Sequence, residues 1–222
     1  YDMKVIEQRG VEEFEAQNAL SLYNEIFDVK TLFKRIGKEL TTAVQQMQYI
    51  AETLCLPQPA ELRLETSGMF RKSAKTGQDP RMLMTWKLLA ELKAKEQKVE
   101  QPFSPERRNE VTGALARALH DNRSTVHTVK ELLAAEGIAF CIEEKVDKAS
   151  VDGYSFIEDG TPHIILTRRY DRIDNFAFAL MHEVGHIYLH YLDGSRSDCK
   201  LSIPDYDNES AEEKEANAFA AN

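Results

Sequence analysis

Between Val29 and Met47, apolar residues fall at Val29, Leu32, Phe33, Ile36, Leu40, Val44 and Met47. Steps of three and four put them on one stripe of a helix turning about 100° per residue. The spacing predicts a single helix over 29–54, its stripe packed in its own domain or used for docking or dimerisation. The preceding VEEFEAQNALSLYNEIF also reads as helical. Residues 55–80 carry Pro57, Pro59, Gly68, Gly77 and Pro80, so they read as irregular and mark a candidate boundary. A helix is expected from Asp79-Pro80 to about Glu100, with Trp86 as a core anchor and a solvated lysine-rich end, Lys93 to Lys98. Ser104-Pro105-Glu106 starts another helix, to about His120, with Ser104 as N-cap. Ser124 opens a further one, which Gly137 stops.

The pattern then changes. Ile138 to Glu143 (IAFCIE) is dense in apolar residues and reads as a strand. Val151 to Phe156 and His163 to Thr167 read as two more strands, joined across a Glu158-Asp159-Gly160 turn. The last apolar segment, IDNFAFALMHEVGHIYLHYL, has apolar residues at 173, 176, 180, 184, 187 and 191, a helical spacing, with Asp174 as N-cap and Gly194 at the C-terminal end. These elements predict an α+β fold: a helical N-terminal region, then a small β-sheet packed on the 173–192 helix.

Length and composition narrow the class. The 222 residues allow one or two domains with a sizeable core. Lys plus Arg number 28 against 37 Asp plus Glu, a net charge of −9, which argues against bulk attraction to nucleic acid or an anionic membrane. No apolar run reaches the roughly 20 residues of a membrane span, and no signal peptide stands out. Cys55, Cys141 and Cys199 are widely spaced and odd in number, so they make neither a disulfide framework nor a C-x-x-C knuckle. A reduced, cytoplasmic protein is the expectation.

The candidate chemistry lies inside the last apolar segment. His182-Glu183-Val184-Gly185-His186 is an instance of H-E-x-x-H. Two histidines four apart on a helix share one face, so both imidazoles can reach one Zn²⁺. Glu183 beside them can take a proton from activated water and pass it to a leaving amine. A third protein ligand is needed. Downstream, Glu212 to Ala220 reads as a helix with Ala216, Phe219 and Ala220 buried; on that reading Glu212 and Glu215 flank the buried face and Glu213 points elsewhere. Tyr154, Tyr170, Tyr206 and His190 are candidates to stabilise an oxyanion, and a strand within 151–167 is expected to pair with an extended peptide.

HEVGHIYLH followed by E-x-E-A-N-x-F-A, with the approach PHIILTRRYDRIDNFAFALMHEVGH, resembles the ImmA/IrrE-type metallopeptidases, small gluzincin-like proteases of bacteria and phages. The motifs span about residues 132–222. FRKSAKTGQDPRMLMTWKLLAELKAKEQ and the opening YDMKVIEQR resemble, more loosely, the subgroup fused to a helix-turn-helix domain of the XRE/HigA antitoxin type. The resemblance implies a zincin-like domain over 67–222, following a helical linker or dimerisation region over 1–66. It implies Zn²⁺ on His182, His186 and Glu215, with Glu212 as the alternative third ligand, and Glu183 as general base. No helix-turn-helix pattern is found, and the chain stops at FAAN where the family continues, so both ends are expected to be cut.

The substrate the resemblance implies is a helix-turn-helix repressor cleaved in trans. A toxin partner, a homodimer and DNA contact through a missing domain are its further implications. The alternative is a non-proteolytic interaction or sensor module of a HigA-like antitoxin.

Overall fold

The computed structural model describes residues 3–167, 172–191, 201–202 and 210–221. They are mixed α and β, in two compact units: residues 1–89 with 146–149, and residues 90–145 with 150–222. No helix among the described residues is long and apolar enough to cross a membrane.

The first unit is helical. It holds α1 (Met3–Asn24), α2 (Val29–Arg35), α3 (Ala43–Glu52), α4 (Pro59–Thr76) and the start of α5 (Pro80–Lys95). The continuous helix expected over 29–54 is broken. Gly37 takes a left-handed φ of 68°, and Thr42 with Gln45 closes a capping box that starts α3 afresh. Glu13 of α1 adds its carboxylate to that start, accepting from the Ala43 and Val44 amides at 2.7 and 3.2 Å. The stripe therefore divides: Val29, Leu32 and Phe33 are buried, whereas Val44 is exposed. Residues 55–80 are not irregular either. Pro59 opens α4, where a missing amide hydrogen costs nothing. Trp86 is fully buried beside Leu83 and Met84, as a core anchor should be.

The second unit contains a sheet of order β1-β3-β2-β4, built from β1 (Ala139–Glu143), β2 (Gly153–Glu158), β3 (Thr161–Thr167) and the two-residue β4 (Leu201–Ser202). β1 runs parallel to β3; β2 runs antiparallel to both β3 and β4. The β2–β3 turn is a tight two-residue loop, Asp159-Gly160, with both residues at positive φ, the twist that a hairpin prefers.

The period of two then sorts the side chains. Phe140, Ile164 and Leu166 face one way, into a core with Val111 and Leu115 of α6 (Arg108–Asp121), Val129 and Leu133 of α7 (Thr125–Ala135), and Leu180 and Val184 of α8 (Ile173–His186). The opposite face carries Tyr154, Phe156, His163 and Cys141. On that side Tyr154 donates to Glu91 at 2.8 Å, and Lys93 and Lys95, expected to be merely solvated, pair with Glu143 and Glu158. The start expected at Ser104 is a 3-10 turn, Pro105–Arg107, leading into α6. Ser124 precedes α7 but its hydroxyl makes no cap bond, because its backbone is left-handed.

Candidate metal centre

α8 is the buried element of this unit. Its last turn, His182 to His186, is buried at every position. The helix starts one residue before the expected cap: Arg172 occupies the N-cap position, and Asp174, at the second helical position, pairs with Arg172 instead. Past His186 the helix does not continue as α. Ile187–Tyr191 forms a π-helical turn, whose wider winding re-aims His190 and Tyr191. Gly194 lies outside the described residues.

α9 (Ala211–Ala221) lies across α8. Ser210 opens it by accepting from the Glu213 amide at 3.2 Å. The approach is close because Gly185 has no side chain: a Cβ there would stand 3.1–3.3 Å from the Phe219 ring. Packing at this distance brings the stripe Glu213, Ala216, Asn217 onto the histidines, with Ala216 wholly buried.

The carboxylate that meets the histidine pair is Glu213. Its oxygens lie 3.3 Å from His182 Nε2 and 3.5 Å from His186 Nε2, and the two Nε2 atoms are 3.0 Å apart. Glu215, which the resemblance implied as third ligand, is not brought there. Its side chain is 63 % exposed, and its nearest histidine contact is 3.8 Å to Nδ1 of His190. Glu212 is placed by its backbone carbonyl, 3.0 Å from His190 Nε2. The expectation that Glu213 points elsewhere thus fails. The buried face expected through Ala216, Phe219 and Ala220 divides: Phe219 packs on Gly185, while Glu213 and Asn217, on the helical series 213-216-217-220, meet the histidines. Two signals were present: that i, i+3, i+4, i+7 series, and Ser210-x-x-Glu213, an N-terminal capping pattern that puts Glu213 in the first turn.

Do these three residues suit a metal ion? His182 Nδ1 lies 3.0 Å from Asn217 Oδ1, an acceptor, so Nδ1 carries the hydrogen and Nε2, which is turned on Glu213, is the nitrogen left to ligate an ion. A tetrahedral ion at ~2.0–2.1 Å keeps its ligand atoms roughly 3.3 Å apart. The spacing found is 3.0–3.5 Å, and one ligand atom from each of the three residues lies within 4.8 Å of the others. Two nitrogens and a carboxylate form a borderline donor set that fits zinc. Electrostatics agree. Burial alone would raise the Glu213 carboxyl, but hydrogen bonds from His182 and His186 outweigh it and hold the carboxyl far below its usual range. Burial alone would lower His182, but Glu213 and the Glu183 charge raise it.

Glu183, the remaining member of the motif, is 1 % exposed. Its Oε2 accepts from the Ser155 hydroxyl at 2.6 Å, while Oε1 has no hydrogen-bond partner among the described residues. Of the candidate oxyanion donors, Tyr154 lies on the opposite face of the sheet and is engaged by Glu91. His190 is engaged by Glu212 and Glu215. Tyr170 and Tyr206 lie outside the described residues, as does Cys199. Cys55 is exposed, and burial pushes the Cys141 thiol up to about 11, so Cys141 is no nucleophile at neutral pH.

Residues 136–222 match the family model Peptidase_M78, the IrrE N-terminal-like domain. No curated protein and no solved structure matches the chain. The matched segment is similar to a metallopeptidase-like domain, and it contains the whole sheet, α8, α9 and all four residues of the cluster. The similarity to the IrrE N-terminal-like domain agrees with the motif resemblance, and within the matched segment Glu213 is the glutamate of α9 that lies against the histidine pair.

Proposed function

We propose that the IrrE N-terminal-like domain is a zinc-dependent endopeptidase of the gluzincin type, with His182, His186 and Glu213 holding the ion and Glu183 as general base. The observation that carries this reading is the convergence of the three ligand atoms within 4.8 Å beside a buried carboxylate, one of whose oxygens has no partner among the described residues. When bound, the ion supplies a Lewis acid that polarises the peptide carbonyl and makes water acidic enough to lose a proton near neutral pH. Asn217 keeps His182 in the ligating tautomer. Glu183 Oε1 takes the proton from the attacking water and delivers it to the departing nitrogen.

On the ImmA/IrrE resemblance, the substrate is a helix-turn-helix repressor, and the whole protein is a bacterial transcription regulator of the antitoxin or stress-response kind. The other reading, a non-proteolytic module, leaves the buried, half-satisfied Glu183 without a task.

The test is metal content of the purified chain, followed by cleavage of a co-encoded repressor. About one zinc per chain is expected, lost in His182→Ala and Glu213→Ala and retained in Glu215→Ala. Retention in Glu213→Ala, or loss in Glu215→Ala, overturns the ligand assignment. Metal without cleavage overturns the peptidase.

A further inference from the structure

We propose that Ser155 is a positioning residue for the Glu183 carboxylate, and that Gly153, two residues earlier on the same strand face, is the recess that lets this carboxylate lie against β2. The inference rests on the peptidase reading above and deepens it.

Gly153 and Ser155 pair with Leu166 and Ile164, so both point to the α8 side of the sheet. Ser155 is almost fully buried, and its hydroxyl donates to Glu183 Oε2 at 2.6 Å. A hydroxyl has one hydrogen to give, so only one of the two oxygens is held. Gly153 clears the space for the other. A Cβ there would stand 2.5 Å from Oε1 and 2.8 Å from Cγ, closer than real Cβ contacts come, and 3.0 Å from Cδ, so the carboxylate would have to shift. A longer side chain on β2 would lift Glu183 away from the strand.

The seat itself is fixed from two sides. β2 pairs with β3 over its six residues, which sets its register. From the helix side, Tyr191 in the π-helical turn donates its hydroxyl to the Ser155 carbonyl at 2.6 Å. Helix and strand are thus joined at the residue that holds Glu183.

The terminal torsion of a glutamate is broad and roughly two-fold. Without Ser155 the carboxylate could present either oxygen, in a range of planes. With it the two oxygens become inequivalent: Oε2 is held, and Oε1 has no hydrogen-bond partner among the described residues. A buried acceptor left bare is costly, and its persistence marks a task for that atom. That task is to receive the proton of the attacking water.

The test compares Ser155→Ala and Ser155→Thr with the parent chain. Ser155→Ala only removes an atom, and Ser155→Thr keeps the hydroxyl. In metal-free protein, the infrared difference between the parent and Glu183→Gln isolates the Glu183 carboxylate band. Ser155→Ala should shift that band and Ser155→Thr should restore it; a band that stays in place in Ser155→Ala overturns the proposal. In zinc-loaded protein, turnover of a quenched fluorescent peptide should drop about 10- to 100-fold in kcat for Ser155→Ala, with KM and zinc affinity within about twofold, and should recover in Ser155→Thr. Loss of zinc affinity in step with kcat would make Ser155 structural and overturn the positioning role. Should the parent chain itself cleave nothing, the peptidase reading fails, and the infrared shift still decides whether Ser155 positions Glu183.

Discussion

Glu213 and Glu215 stand two positions apart on α9 and face different surroundings, because two residues turn a helix by about 200°. One is clasped by both histidines and the other looks outward beside His190. Chain order alone could not separate them, since three glutamates occur within four residues and each has the right chemistry. What separates them is the rotation of α9 about its axis, set where Phe219 meets Gly185. His182, Glu183 and His186, by contrast, were legible at once, because their spacing is local to one helix and needs no partner element. A sharp prediction follows for Glu183. Glu183→Gln keeps the shape and the hydrogen-bond acceptor that Ser155 requires but removes the basic oxygen. It should retain zinc while peptide cleavage falls by about 10²–10⁴-fold. Zinc-dependent cleavage at the parent rate in this variant would exclude Glu183 as the base.

The elements differ in how far the apolar pattern could be trusted. The strands were readable, since Gly137 and the Asp159-Gly160 turn delimit them and their residues are apolar on both faces. The N-terminal stripe misled. Seven apolar residues kept helical phase across Gly37 and Thr42, but a left-handed glycine and a capping box are stronger local statements than periodicity. The π-helical turn after His186 had no signal in the pattern; it brings the Tyr191 hydroxyl to the Ser155 carbonyl, a contact between distant segments. The contact between α8 and α9 is the element-scale feature on which the metal centre depends. Gly185→Val would push the Phe219 ring outward. Overpacking of this kind costs about 1–3 kcal/mol. The variant should show a lower urea midpoint and weaker zinc binding together, because Glu213 rides on the displaced helix. Unchanged stability with unchanged zinc affinity would mean that α9 is not held at this contact.

For the whole second unit, the buried His163 predicts a pH dependence of folding. It stacks on Phe156, with ring centroids 4.7 Å apart and planes 7° apart, on the sheet face away from the metal centre. Burial holds its pKa below the ordinary 6.5. The sign follows by linkage. Between its folded value and 6.5 the unfolded chain binds more protons, so stability rises with pH across that window. The contribution is fully present above 6.5 and is lost as pH falls toward the folded value. His163→Phe keeps the stack and removes the titration. Denaturant midpoints of metal-free protein from about pH 5 to 8 should show the parent losing ground to the variant only below about 6.5. A constant difference across the range would show that His163 does not titrate this way.

By itself the sequence determined helices α5 to α9, strands β1 to β3 and the H-E-x-x-H face, because periodicity, caps and turns within each segment mark them. It also implied that a metal on this pair would need a third protein ligand, with three glutamates downstream to choose from. The tertiary structure decided which carboxylate meets the histidine pair, which oxygen of Glu183 is held, and that a serine on a strand holds it. Each of those facts depends on two elements distant in the chain meeting at a distance of a few ångströms. Close approach at Gly153 and Gly185, where a side chain is absent, is what makes the meetings possible. A missing Cβ has no periodicity, so it leaves no pattern to read until the fold brings something into the space.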